Sequence, residues 1–213
     1  MTRAGDRRYS RREFLGVSAV VPAAFVIVSV ADARAQAGKA QATPACGDNA
    51  GVTAPQTEGP YFKPSSPLRA SLLEPGMPGM PIVVEGSVLT TDCQPIPRAL
   101  LDFWQADAGG RYDNAGYRLR GHQFTGDAGR YRLESVVPGL YAGRTRHLHV
   151  KVQAPGQPAL TTQLYFPGEP GNRRDFIFNP DLVMVVREAE GGKRARFDFV
   201  LDAGAPERRR SAG

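Results

Sequence analysis

Short extended runs, separated by turns rich in glycine and proline, are the feature that most restricts how this chain can fold. The sequence has 24 glycines and 18 prolines among 213 residues, and turn residues at this density favour many short strands over long helices. Phe197, Phe199 and Leu201 recur at every second position, which is typical of a half-buried strand. The predicted fold class is therefore all-β, an antiparallel β-sandwich with long irregular loops.

The strand candidates all fall within one predicted β domain at residues 57–203. Runs rich in β-branched or alternating apolar residues predict strands at 82–89, 99–105, 129–134, 146–153, 160–166 and 195–201. Only residues 181–190 favour a helix. A linker at 36–56, rich in Ala, Gly, Gln and Thr, precedes the domain, and a basic tail at 204–213 that we predict to be disordered follows it.

The first 35 residues are predicted to be a cleavable signal peptide. The segment SRREFL at 10–15 resembles a twin-arginine export motif, and an uncharged run at 14–31 and the small-x-small sequence at 33–35 accompany it. A retained membrane anchor is the alternative, because the uncharged run approaches the length that spans a bilayer. Pro22 and the cleavage sequence favour removal. We therefore expect a periplasmic or secreted protein without stable membrane insertion.

The charge distribution argues against a nucleic-acid-binding surface. The net charge is +6, but about half of the excess lies in residues 1–36, and Arg208 to Arg210 add to it near the other end. The region between these segments is nearly neutral, so the sequence contains no basic face of the kind that binds phosphate backbones.

Cys46 and Cys93 are the only cysteines. An even number in an oxidising compartment predicts one disulfide between them, and two unpaired thiols are the alternative. No Cys-x-x-Cys spacing is present, so neither cysteine is predicted to bind a metal or to act in catalysis.

Two of the three histidines, His147 and His149, alternate with apolar residues in one predicted strand. Successive strand side chains point to opposite faces, so the two imidazoles share one face while Leu148 and Val150 point to an apolar one. Two imidazoles so placed can ligate one metal ion. A polar strand face with two incidental histidines is the alternative.

Two tyrosines follow glycine-containing turns close to this pair in the sequence. Tyr112 comes directly after Gly109-Gly110-Arg111, and Tyr141 ends the segment PGLY at 138–141, six residues before His147. Each has a structural alternative: Tyr112 as a hairpin cap, and Tyr141 as a packing tyrosine at a sandwich corner.

At these residues the sequence resembles the intradiol ring-cleaving catechol dioxygenases, the family of protocatechuate 3,4-dioxygenase and catechol 1,2-dioxygenase. The resemblance runs from residue 57 to about residue 201. It rests on five motifs that follow the family order, TEGPY at 57–61, WQAD at 104–107 continuing to Tyr112, PGLY at 138–141, RTRHLH at 144–149 and TQLYF at 162–166. It implies insertion of both atoms of O2 between the two hydroxylated carbons of a catechol, which gives a cis,cis-muconate-type product.

The resemblance also implies a cofactor and roles for individual residues. A non-haem Fe(III) would be held by four side chains, Tyr112, Tyr141, His147 and His149. Tyr141 would leave the metal when the catechol binds and would take up one of its protons. Arg144 would stabilise negative charge on the ring and, with Gln163, would contact the substrate. His122 matches no ligand of the family and is interpreted as structural.

The resemblance leaves the identity of the substrate and the oligomeric state open. Only Ala142 and Gly143 separate Tyr141 from Arg144, whereas the protocatechuate enzymes carry a longer loop with aromatic residues there. Catechol, protocatechuate and hydroxyquinol all stay open as substrates, and the arm before Thr57 is a candidate contact in a homo-oligomer.

The turn motifs of the predicted sandwich are also compatible with a protein of a different functional class. A secreted, metal-free β-sandwich module of the carboxypeptidase-regulatory-like type, with a binding or structural role, would show similar Gly-x-Tyr and Pro-Gly-x-Tyr patterns. That alternative gives no reason for the RTRHLH motif at 144–149 or for Tyr112 beside it.

Overall fold

The computed structural model describes residues 51–141 and 143–203, and this part of the chain is built from two β-sheets. The strands, in chain order, are β1 (Pro81–Thr90), β2 (Leu100–Trp104), β3 (Arg120–Phe124), β4 (Arg130–Val136), β5 (His147–Gln153), β6 (Leu160–Tyr165), β7 (Val185–Ala189), β8 (Gly192–Arg196) and β9 (Phe199–Leu201). Short 3-10 helices cover Pro170–Arg173 and Pro180–Leu182.

The two sheets share one apolar core. The first has the strand order β4-β1-β8-β7, with β9 also paired to β1, and the second has the order β3-β2-β5-β6. Val84 and Leu133 from the first sheet belong to the same buried cluster as Leu101, Val150 and Leu164 from the second. The predicted all-β fold with two sheets is confirmed.

The prediction of an antiparallel sandwich is correct only in part, because not all of the strands pair antiparallel. Strand β1 runs parallel to both β8 and β9. The predicted strand at 195–201 is divided into two because the chain passes close to β1 at Phe197, whose backbone N–H donates to Glu85 O at 3.1 Å. A Cβ on Gly86 would lie 1.8 Å from Phe197 O, so this crossing requires a glycine.

The prediction of a helix at 181–190 is wrong. Only Pro180–Leu182 is helical, as a single 3-10 turn, and Val185–Ala189 forms a strand that pairs antiparallel with β8. Gly191, with φ of 74°, makes the tight turn between the two strands. Strand β3 was not predicted, because the sequence RGHQF at 120–124 lacks apolar alternation.

Several predictions concern residues outside those that the structure describes. The signal peptide at 1–35, the linker up to residue 50, the tail at 204–213 and Cys46 all lie there. Cys93 is half-buried and has no disulfide partner among the described residues, so the pairing with Cys46 stays a prediction. Within 51–141 and 143–203, no helix has the length and apolar character needed to cross a bilayer.

The central position of β5 in the second sheet places the histidines. It lies between β2 and β6, and His149 faces Trp104 on one side and Gln163 on the other. His147 faces Tyr165 of β6. Three adjacent strands therefore contribute side chains to the same region of the sheet.

Candidate functional site

His147 and His149 share one face of β5, as the alternation predicted. Their Nε2 atoms are 3.2 Å apart, while Leu148 and Val150 on the opposite face belong to the core. His147 Nδ1 lies 2.6 Å from Thr145 O, and a carbonyl can only accept, so Nδ1 carries the proton. Nε2 of His147 is then left with a free lone pair directed towards His149.

Burial keeps both imidazoles neutral at neutral pH. It lowers the pKa of His147 to about 4. Burial, reinforced by the neighbouring His147, also lowers the pKa of His149 well below its ordinary value. Neutral imidazole is the form that binds metals, so protons do not compete for these nitrogens near pH 7.

Two glycines allow the turns that carry the tyrosines to pack against each other through their backbones. Gly139 N donates to Asp107 O at 2.8 Å. A Cβ on Gly110 would lie 2.0 Å from Leu140 O, and one on Gly139 would lie 2.4 Å from Gly110 N. Tyr112 and Tyr141 each lie two residues after one of these glycines, which explains why residues 29 positions apart come together.

The rings of the two tyrosines contact each other, and the ring of Tyr112 also contacts that of His149. The ring of Tyr141 lies edge-on to that of Tyr112, with centroids 5.5 Å apart, and the ring of Tyr112 is 6.2 Å from that of His149. Tyr61 stacks on Tyr112 at 4.4 Å, and its hydroxyl lies 2.5 Å from the hydroxyl of Tyr141. Tyr61 was not predicted as a site residue, although it ends the TEGPY motif.

Both candidate ligand tyrosines resist ionisation without a cation nearby. Burial raises the pKa of Tyr112, although the guanidinium groups of Arg144 and Arg120 partly oppose this. The hydrogen bond with Tyr61, and then burial, raise the pKa of Tyr141. Both phenols are therefore protonated at pH 7 until a positive ion displaces the protons.

The donor set fits one metal ion. Imidazole nitrogens bind metals such as zinc at about 2.1 Å, which places two neighbouring ligands about 3 Å apart, and the two Nε2 atoms lie at 3.2 Å. Within the described ranges no three His, Cys, Asp or Glu side chains cluster as a metal site. A metal at the histidine pair would therefore need the tyrosine oxygens as further ligands.

Arg144 is fixed between a carboxylate and an amide. Its Nε donates to Asp175 Oδ2 at 2.8 Å, and its Nη2 donates to Gln163 Oε1 at 2.8 Å. Gln163 in turn donates through Nε2 to Thr57 O at 2.8 Å. The structure thus brings together the two predicted substrate-contacting residues, while Asp175, a residue that sequence reasoning missed, holds the guanidinium in place.

We expect the Asp175→Asn variant to lower the free energy of unfolding at pH 7 by about 1.5–3 kcal/mol, the range for hydrogen bonds to charged groups. Burial opposes ionisation of Asp175, but the N–H of Thr145 and the guanidinium of Arg144 outweigh it and lower the pKa below 3.8. Because the pKa is lower in the folded state, this stabilisation is present above the unfolded pKa and is lost as the pH falls through the folded value.

Denaturant unfolding at pH 7 and near pH 2.5 measures this difference. The gap between Asp175→Asn and wild type should narrow at the lower pH. Asp181→Asn, which changes an exposed carboxylate, is the control and should match wild type at both values. An Asp175→Asn variant as stable as wild type at pH 7 would contradict the assigned role of this carboxylate.

Residues on two further segments cover His149. Trp104 stacks on the imidazole with centroids 4.9 Å apart and planes 11° from parallel. A Cβ on Gly59 would lie 3.5 Å from His149 Cε1, so the TEGPY turn passes directly over the ring. These contacts fix the orientation of the imidazole plane.

Arg120 is 1% exposed, and all of its hydrogen bonds go to carbonyl oxygens. Nε and Nη2 donate to Asp113 O at 3.2 and 3.0 Å, and Nη1 donates to Tyr61 O at 2.5 Å. In the described part of the chain, other arginines form ion pairs with carboxylates, but Arg120 forms none. Burial lowers the pKa of Arg120, but an arginine remains charged at neutral pH.

Two cavities differ in their relation to this site. One, of about 420 Å³, borders Tyr112 together with Arg118 and Leu119. A larger one, of about 520 Å³, is lined partly by the ion-paired Arg146 and Glu169 and contains none of the predicted site residues. The donor chemistry, rather than cavity size, therefore identifies the candidate site.

His122 lies apart from the histidine pair, on β3, where it faces Asp102 of β2. Its Nδ1 lies 2.7 Å from Ser66 O, and its ring is edge-on to Phe124. These contacts fix the position of the segment before β1 against the second sheet.

Comparisons with known proteins identify a family. The dioxygenase family profile matches residues 57–203. The chain is 29% identical over 180 residues to the 6-chlorohydroxyquinol 1,2-dioxygenase of Cupriavidus pinatubonensis, covering 71% of this chain and 65% of that protein. The chain therefore spans slightly less than two thirds of the length of that curated relative.

Solved structures of dioxygenases have a fold similar to that of this chain. The dioxygenase domain of a dioxygenase carbohydrate-binding protein fusion from Streptomyces sp. SirexAA-E is 58% identical, with a TM-score of 0.70, and the match covers 71% of this chain and 99% of that chain. The 3-chlorocatechol 1,2-dioxygenase of Rhodococcus opacus 1CP is 28% identical, with a TM-score of 0.65 and coverage of 70% and 72%.

Proposed function

This chain belongs to the intradiol ring-cleaving dioxygenase family, and from that membership we propose that it inserts both atoms of O2 between the two hydroxylated carbons of a catechol. The observation that carries the proposal is the 3.2 Å separation of two neutral imidazole nitrogens, with the ring of Tyr112 next to His149 and the ring of Tyr141 next to Tyr112. The family match covers 57–203 and argues against the metal-free module of the carboxypeptidase-regulatory-like type.

The proposed cofactor is ferric iron, held by the Nε2 atoms of His147 and His149 and the hydroxyl oxygens of Tyr112 and Tyr141. Two tyrosinates supply the anionic oxygen donors that a trivalent ion requires, and the imidazoles are neutral before binding. When bound, ferric iron supplies chelation of the catechol oxygens and activation of the aromatic ring towards O2.

In the proposed reaction Tyr141 accepts a proton from the substrate, and Tyr61 stabilises the protonated form. A phenolate at Tyr141 can accept a proton from the incoming catechol, and the resulting phenol is stabilised by its hydrogen bond with the Tyr61 hydroxyl, 2.5 Å away. Tyr141 is half-buried and lies on a turn, two residues before Gly143, which has φ of 77°. The site therefore contains its own base, with a partner in place for the protonated form.

Arg144 supplies fixed positive charge. Asp175 and Gln163 hold its guanidinium in position before any substrate enters, so no reorganisation is needed when negative charge develops on the ring. Its positive charge also acts to lower the pKa of Tyr112 and of His149, which supports the proposed role of Arg144 in the reaction.

The names of relatives suggest the substrate class. They include hydroxyquinol, 6-chlorohydroxyquinol and chlorocatechol 1,2-dioxygenases, so single-ring catechols with small substituents are the proposed substrates. The short spacing between Tyr141 and Arg144 argues against a specific preference for protocatechuate.

Oxygen uptake by the iron-loaded protein with catechol, hydroxyquinol, 3-chlorocatechol and protocatechuate tests the proposal, together with identification of the cleaved bond. We expect a red-brown protein that opens the ring between the hydroxylated carbons. Cleavage of an adjacent bond would overturn the intradiol assignment. A colourless protein that takes up no iron and no oxygen would overturn the enzyme proposal.

Iron binding should release about two protons per ion near pH 7, one from each ligand tyrosine. The pKa values of Tyr112 and Tyr141 are raised above 10, while His147, with a pKa of about 4, releases none. Iron affinity should therefore rise with pH between 6 and 8. Titration calorimetry in buffers of different ionisation enthalpy counts the protons, and release of none would contradict coordination by tyrosinate.

Export by the twin-arginine route to the periplasm or outside the cell is also proposed. This route carries folded proteins, so iron could be loaded before export. N-terminal sequencing of the mature protein tests cleavage of the signal peptide. A thiol titration tests the proposed disulfide between Cys46 and Cys93, and light scattering tests for a homo-oligomer.

A further inference from the structure

The buried guanidinium of Arg120 lies where three segments of the candidate site meet. Nη1 donates to the backbone of Tyr61, and Nε and Nη2 donate to the backbone of Asp113, the residue after Tyr112. In the β2–β3 ladder Arg120 faces Trp104, whose ring stacks on His149. The side chain of Arg120 therefore contacts the segments that carry Tyr61 and Tyr112, and Arg120 pairs across the sheet with the tryptophan that stacks on His149.

The carboxylates that act on Arg120 do so only through space. Asp113 and Asp102 are the charged acids that influence it. The Asp113 carboxylate accepts backbone N–H groups of residues 115, 116 and 118, and Asp102 accepts from the Ser66 hydroxyl. A fully buried cation that pairs directly with no described carboxylate is costly. The chain nevertheless holds this cation against the backbone of Tyr61 and Asp113, where its charge acts on Tyr112.

We infer that Arg120 is a positioning residue for the tyrosine oxygens, an inference that rests on the function proposed above. Its planar fork holds the Tyr61 and Tyr112 segments at a fixed separation, and its charge stabilises the phenolate of Tyr112. A lysine would supply the charge but not the planar fork that binds both carbonyls at once.

Two variants separate the effect of the guanidinium hydrogen bonds from the effect of the positive charge. Arg120→Gln removes both, and Arg120→Lys keeps only the charge. Arg69→Gln is the matched control, because Arg69 also donates to backbone carbonyls, those of Arg120 and Tyr117, but not to those of Tyr61 or Asp113. The readouts are the position of the phenolate-to-iron charge-transfer band and the rate of iron loss to a chelator.

In Arg120→Gln the band should move to longer wavelength, because loss of a nearby positive charge raises the energy of the phenolate donor orbital. Iron should leave at least about tenfold faster, in line with the 10- to 100-fold effects of residues that support metal ligands. Arg120→Lys should keep the wild-type band but lose iron faster. Arg69→Gln should match wild type in both.

Wild-type band position and wild-type iron retention in both Arg120 variants would overturn the inference. If Arg120→Gln does not fold, Arg120→Lys decides alone, and iron retention equal to wild type in that variant would overturn it. The two proposals fail differently: a colourless wild-type protein would overturn the proposed function and this inference together, whereas a coloured wild type with unaffected variants would overturn only the inference.

Discussion

An Arg144→Ala variant is expected to bind iron and keep its phenolate colour, but to turn over its catechol about 100- to 1,000-fold more slowly. Arg144 is not among the proposed ligands, and Asp175 and Gln163 hold its guanidinium in place. Loss of the guanidinium removes charge stabilisation that is already oriented in the resting protein. The effect should therefore fall on kcat more than on iron content.

Steady-state oxygen uptake, iron analysis and the visible spectrum together measure this outcome. Arg174→Ala, an exposed arginine beside Asp175, is the control and should turn over as wild type does. Because Asp175 loses its partner in Arg144→Ala, unfolding must be measured in parallel, and turnover must be expressed per bound iron. Turnover per iron within threefold of wild type would remove Arg144 from the mechanism.

The Tyr112→Phe variant is expected to lower iron affinity by more than about 100-fold, because even residues that only support metal ligands contribute 10- to 100-fold. Phenylalanine retains the stacking on Tyr61 at 4.4 Å and the edge contact with Tyr141, so only the oxygen is lost. Turnover should be lost with it, while the fold is retained.

Tyr117→Phe makes the same chemical change five residues away in the same loop, where the hydroxyl only donates to Pro64 O, and it should bind iron as wild type does. Iron titration followed in the visible spectrum compares the two. Tyr112→Phe with a wild-type affinity and band would show that this oxygen is not a ligand.

The geometry of the histidine pair was predictable because strand alternation is a local rule. It requires only that β5 forms, and the apolar residues at 148, 150 and 152 ensure that. The approach of Tyr112 and Tyr141 depends instead on two glycine turns from distant parts of the chain. No local rule predicts that contact, and only the family resemblance indicated it.

Residues that support the site were missed for a related reason. Asp175 reaches Arg144 from a loop 31 residues away, and Tyr61 reaches Tyr141 across 80 residues. Arg120 belongs to a strand whose sequence, with a buried arginine and a glycine, resembles a loop. In each case the partner, rather than the sequence around the residue, defines the role.

The error at 181–190 shows tertiary pairing overriding local preference. This segment contains good helix formers such as Leu, Met and Glu, but the edge of β8 is available for pairing, and Val185 and Val186 suit a strand. The division of the strand predicted at 195–201 has the same origin, because contact of Phe197 with β1 interrupts its pairing.

The parallel partners of β1 have a consequence for synthesis. All four strands of the second sheet, which carries both histidines, lie within residues 100–165, whereas the remaining edge of β1 is occupied only by residues 192–201. Joining segments so far apart carries a larger loop-closure entropy and slows folding. On the ribosome, therefore, the half of the molecule that bears the imidazoles can assemble first, and the half that seals the core is completed only near the end of translation.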